Sequence, residues 1–136
     1  MSQSSNPVTA GGISITQQDS EDLLLVEAYG DGGFKLQERR VKGAIYVDGT
    51  GFWPVEADGL AALSLEHVKD QLDDNRPEMV LVGTGAAMTL LPKPLRLSLE
   101  SLGLQYDIMD TGAAARTYNI LLLEGRKVAA LMLPVD

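Results

Sequence analysis

His67 is the only histidine of the chain, with Glu66 beside it and Asp70 three residues on. An imidazole oriented by a carboxylate is the arrangement of a general base. The ordinary role of a lone histidine on a surface helix is simple exposure. No second imidazole and no thiolate is present to complete a metal site with the scattered carboxylates. The absence of cysteine removes disulfides, thiolate metal sites and cysteine nucleophiles together. Serine, threonine and aspartate are plentiful, but they form no nucleophile elbow, and a hydrolase triad has no credible proton acceptor. The sequence assigns no catalytic residue, no metal ligand and no cofactor.

Residues that could bind are easier to find. Gly83-Thr84-Gly85 follows the apolar run Met79-Val80-Leu81-Val82. That is the carboxyl end of a strand, where open α/β sheets hold ligands and where turn amides can cradle an anion. The third glycine of a dinucleotide fingerprint and the Gly-Lys-Ser/Thr end of a phosphate loop are both missing. The bland reading is a turn whose glycines let two backbones approach closely. Thr111 opens the last helix expected from the pattern, and Arg116 and Asn119 lie three apart on it. With Gly83, Thr84 and Gly85 these three could line a polar pocket. Asn119 has an alternative role, satisfying neighbouring backbone groups with its amide.

The elements that must position these residues follow from hydrophobic rhythm and turn chemistry. Residues 1–12 are polar, end in Gly11-Gly12 and read as a flexible arm, leaving residues 13–136 as one domain. Leu23 to Tyr29 reads as a strand, turned by Gly30-Asp31-Gly32-Gly33 into Phe34-Lys35-Leu36. Gly43 to Val47 and Phe52 to Val55 are two further short extended pieces. Ser64 caps a helix of about residues 65–73, with Leu65, Val68 and Leu72 on one face. From Met79 the pattern becomes strand, helix from about Leu95 to Leu102, strand Gln105 to Met109, helix Gly112 to Leu123 capped by Thr111, and strand Lys127 to Leu133. Gly103 and Gly125 stand where the two helices end. The expectation is an α/β domain with a β-rich N-terminal half that extends the sheet or folds over it.

At 136 residues with 45% apolar and 22% charged composition, the chain can close one core but not two of ordinary size. A formal net charge of −8 argues against nucleic acid as a partner, since phosphate neutralisation needs clustered Lys and Arg. Arg39, Arg40 and Lys42 are the one local basic cluster, read as solvated surface. The N-terminus has neither the basic nor the apolar region of a secretory signal, and no apolar run is long enough to span a bilayer. A cytoplasmic location is the expectation, with oligomeric state left open.

Val80-Leu81-Val82-Gly83-Thr84-Gly85, Asp110-Thr111, Ala115-Arg116-Thr117-Tyr118-Asn119, Glu124-Gly125-Arg126 and Ala130-Leu131-Met132-Leu133-Pro134 form an ordered series, to which Gly33-Phe34 and Gly43 add. Over about residues 23–135 this resembles a domain family known from a mitochondrial assembly factor of respiratory complex I, a human adipogenesis-associated protein and many small bacterial and archaeal proteins. The resemblance implies a three-layer α/β fold with a mixed central sheet of about five strands and no established catalysis. It suggests a non-catalytic module that binds another protein, in the manner of an assembly factor. The complex I role itself does not transfer on resemblance alone. A small-molecule or anion-binding protein, or a cryptic enzyme, with its pocket at Gly83, Gly85, Thr111 and Asn119, is the alternative. An exposed apolar patch favours the first reading and a concave polar pocket the second.

Overall fold

The computed structural model describes residues 23–136; the arm expected over residues 1–12 lies outside the described residues. The apolar run at Met79 forms strand Met79–Gly83, buried from Val80 onward. It is continuous in hydrophobicity because it has parallel neighbours on both sides, Gln105–Met109 and Val128–Met132, and layers over both faces. Val80 and Val82 point into one core, Leu81 into the other.

In chain order the strands are β1 (Ala28–Gly30), β2 (Gly33–Leu36), β3 (Arg39–Lys42), β4 (Ala44–Val47), β5 (Phe52–Val55), β6 (Met79–Gly83), β7 (Gln105–Met109) and β8 (Val128–Met132). The helices are α1 (Lys69–Asp74), α2 (Lys93–Ser101) and α3 (Thr111–Leu123). The main sheet is mixed and five-stranded, in the order β5-β4-β8-β6-β7, and β1-β2-β3 form a separate antiparallel sheet. The β-rich half therefore does both things expected of it. β4 and β5 extend the main sheet, while Phe34 and Leu36 of β2 join Ala114, Ala115 and Tyr118 of α3 over one face of it. Leu65, Val68, Leu72, Leu95 and Leu99, from α1, α2 and the turn before α1, cover the other. The result is the three-layer arrangement.

Several local expectations change. Of the strand expected from Leu23 to Tyr29, only Ala28–Gly30 is strand. Its pairing with the four-residue β2 ends one bond beyond the Ala28↔Lys35 pair, with Glu27 N–H donating to Lys35 O at 2.8 Å. Before it the chain runs as an extended strap, with Leu24 and Val26 buried. Arg39, Arg40 and Lys42 are surface residues as expected, yet they sit in β3. The hairpin that makes β3 turns through Gln37 and Glu38, both at positive φ, without the Asn or Gly that usually marks a two-residue turn.

Ser64 caps as expected, its Oγ accepting from Glu66 N–H at 3.1 Å. The first turn it caps is a 3₁₀ turn, Leu65–Val68, before α1 begins. α2 starts at Lys93, two residues earlier than Leu95, with Pro94 in its first turn. The cap of α3 is Asp110, not Thr111: Asp110 Oδ1 accepts from Ala113 N–H at 2.9 Å. Thr111 is already helical and turned inward. At the far end Gly125 is left-handed at φ 81° and Arg126 N–H returns to Leu121 O at 2.9 Å, which closes the helix.

Candidate functional site

Gly83, Thr84, Gly85 and Thr111 meet at the carboxyl end of β6, where the start of α3 crosses it. Thr111 Oγ donates to Leu133 O at 2.7 Å and accepts from Gly85 N–H at 2.9 Å. Thr111 N–H in turn donates to Gly85 O at 2.8 Å. Thr84 N–H donates to Met109 O at 2.9 Å, and Thr84 Oγ donates to Ala87 O at 2.7 Å while accepting from Thr89 N–H at 3.1 Å. The amides of Thr84, Gly85 and Thr89 are thus committed to internal acceptors. A Cβ at Gly83 would lie 2.9 Å from Thr111 Oγ and 3.0 Å from Thr111 Cα, so glycine is required by the close approach of α3. Gly85 is at φ 102°.

Asn119 does not reach this corner. It stands eight residues after Thr111 on α3, about 12 Å along the helix axis. Its amide grips the strap: Val26 N–H donates to Asn119 Oδ1 and Asn119 Nδ2 donates to Val26 O, both at 2.9 Å. In effect the side chain imitates a neighbouring strand. Tyr118 adds a third bond, its hydroxyl donating to Leu24 O at 2.7 Å. Arg116 is exposed on the outer side of α3. A Cβ at Gly112 would collide with the phenol of Tyr29 and lie 3.3 Å from Arg116 Nη1, which places Tyr29 and Arg116 side by side over the first turn of α3.

A second polar cluster went unmarked in the sequence. Asp48 is buried in the β4–β5 turn, its Oδ1 accepting from Thr50 N–H at 2.9 Å, Thr50 Oγ at 2.7 Å and Gly51 N–H at 3.2 Å. Asp48 Oδ2 and the Tyr46 hydroxyl are buried without a hydrogen-bond partner among the described residues. Burial, and then the Asp48 carboxylate, push the Tyr46 phenol well above the usual tyrosine range. Burial raises Tyr118 likewise. His67, the general-base candidate, is exposed and 3.4 Å from the carbonyl of Ala62 through Nε2.

After Arg116 the outer face of α3 is apolar where solvent would call for polar residues. Thr111, Ala114, Ala115 and Tyr118 are buried on the inner side and Gly112 lies under Tyr29, while Ile120 and Leu123 are 55% and 53% exposed. With Arg116 they fall at spacings of four and three, one stripe along the helix. Tyr29, also well exposed, flanks its beginning. Only the run Ile120-Leu121-Leu122-Leu123 hinted at this stripe in the sequence, and a continuous run does not say which of its members faces out.

These features define a three-layer α/β domain built on a mixed five-stranded sheet, closed at the end of β6 by a threonine clasp. The chain belongs to the family described as protein of unknown function (DUF498/DUF598), whose profile matches residues 26–133. It is 37% identical over 113 residues to an uncharacterized protein of Rhodobacter capsulatus, covering 82% of this chain and 86% of that one. It is also 28% identical over 123 residues to the NADH dehydrogenase [ubiquinone] 1 alpha subcomplex assembly factor 3 of Xenopus tropicalis, covering 87% of this chain and 65% of the relative's length. Among solved structures, an outer membrane protein from Bartonella henselae superposes with a TM-score of 0.75 at 35% identity, over 83% of this chain and 96% of that one.

Proposed function

We propose that this chain is a non-catalytic, cytoplasmic module that binds another protein through the outer face of α3. The observation that carries the reading is the solvent-facing stripe of Ile120 and Leu123. Large apolar side chains side by side on the solvent face of a helix are the composition of a contact surface. Beside the stripe stand Tyr29 and Arg116, residue types enriched among the anchors of protein interfaces. The amphibian relative bears the name of an assembly factor, which supports a role in building a larger complex. The anion-binding reading draws no support from the Gly83 corner, because the Thr84, Gly85 and Thr89 amides already have partners.

The test compares tagged parent protein with an Ile120→Ser/Leu123→Ser double variant, both expressed in the native cell, purified by affinity and analysed by mass spectrometry. The expected result is a partner retained by the parent and lost by a double variant with an unchanged unfolding midpoint. Identical co-purifying proteins in both would overturn the reading.

A further inference from the structure

The exposed ridge of α3 is symmetric about its middle residue. Arg116, Ile120 and Glu124 follow one another at intervals of four and are all exposed. They form one ridge along the helix, with its two charged ends about 6 Å above and below the isoleucine. Glu124 still keeps the helical pattern, its N–H donating to Ile120 O at 3.1 Å. Leu123 stands beside the middle of the ridge, exposed like Ile120.

Neither end of the ridge is claimed within the chain. The ion pairs among the described residues are Lys35–Glu27, Arg96–Glu100 and Arg126–Glu78, and Arg116 and Glu124 belong to none of them. Other charged groups near α3 are engaged elsewhere. Asp110 Oδ1 accepts from Ala113 N–H at 2.9 Å, and Asp107 Oδ1 accepts from Ile108 N–H at 3.0 Å. Past Glu124 the chain turns back through Gly125 at φ 81°. Glu78 then holds the returning segment against the start of β6, its carboxylate 3.3 Å from Arg126 and its N–H donating to Lys127 O at 2.7 Å.

We infer that this face pairs with a second copy of the chain, two α3 helices packing antiparallel about a two-fold axis at Ile120. The inference rests on the outer face of α3 being a protein-binding surface, and it names what occupies that surface in the free protein. A two-fold contact sets one patch against itself, so the patch must be its own complement. Antiparallel pairing about position 120 places position 116 of one copy against position 124 of the other. Arg116 therefore meets Glu124, and the symmetry repeats the pair. Helices whose i±4 ridges interdigitate cross at about −50°, which brings the two ridges parallel. Ile120 and Leu123 of both copies leave solvent between the charged ends. Parallel pairing would set Arg116 against Arg116 and is disfavoured by like charge. A partner of different sequence needs no such relation between the two ends of the ridge.

The test is sedimentation equilibrium of the purified full chain and its charge-reversal variants. The parent should associate to a dimer with a dissociation constant in the micromolar range, since the contact is small. Arg116→Glu and Glu124→Arg each put two like-charged pairs into the contact and should weaken it at least about tenfold. The combined Arg116→Glu/Glu124→Arg variant should recover to within about threefold of the parent. Leu97→Ser, which alters an exposed side chain of α2 across the main sheet, should dimerise like the parent. A parent that stays monomeric at about 0.5 mM, far above a micromolar dissociation constant, overturns the inference. So does a dimer that the single reversals leave intact, or one that the combined reversal fails to restore. The result is separable from that of affinity purification. A monomeric chain that still retains a partner through Ile120 and Leu123 removes the dimer and leaves the binding face, whereas a dimer rescued by charge exchange stands even where no other protein co-purifies.

Discussion

The corner at the end of β6 and the outer face of α3 belong to the same helix and differ in what they leave unsatisfied. At the corner, polar groups are dense and matched: one threonine hydroxyl joins Gly85 of the β6 turn to Leu133 after β8. On the outer face polar groups are sparse, and large apolar side chains face solvent. A glycine-rich turn after a buried strand has the composition of a ligand site, but composition does not say whether its amides are free. Here the amides of Thr84, Gly85 and Thr89 are bonded within the protein, which is how a clasp between layers is built, whereas the surface proposed for binding is apolar.

The largest expected effect lies in the clasp. Thr111→Val keeps the shape, removes the hydroxyl and leaves Gly85 N–H and Leu133 O without their partner. Two such losses in a buried setting should lower unfolding free energy by about 3 kcal/mol, read from urea denaturation. A loss below about 0.5 kcal/mol would show that the corner is not under structural demand.

The strap comes next. Asn119→Ala removes both bonds to Val26 and should cost roughly 1 to 3 kcal/mol. Hydrogen exchange should rise first at the Val26 amide. If stability and exchange are unchanged and partner binding is lost, Asn119 belongs to the interface instead.

The smallest effect concerns Tyr46, whose hydroxyl is buried and unpaired among the described residues. Tyr46→Phe discards no such bond and relieves a buried polar atom, so stability should stay within about 0.5 kcal/mol or rise. A loss above about 1 kcal/mol would mean that the hydroxyl has a partner of its own.

What the sequence makes legible follows the same division between local and tertiary causes. β7 occupies Gln105–Met109, as its pattern predicts, and β6 runs one residue past the apolar run. In both cases a strand is bounded by turn residues that act locally. β3 is hard to read because Gln37 and Glu38 adopt positive φ without the residue types that announce it. Asp110 and Thr111 are both good caps by type. The choice between them is tertiary, since Gly85 and Leu133 draw the threonine inward. The structural role of Asn119 is anticipated by its chemistry. Its partner Val26, 93 residues away in the chain, is not. The exposed stripe of α3 stays hidden because Ile120 to Leu123 form an unbroken apolar run.

The central claim is that the outer face of α3 binds protein while the corner holds the fold together. Its most direct measurement places a photo-crosslinking amino acid at Ile120 in one sample and at Ala86, beside the clasp, in another, with irradiation in the native cell. The account predicts a discrete protein adduct from position 120 and none from position 86. A protein adduct from position 86 with none from position 120 would contradict it.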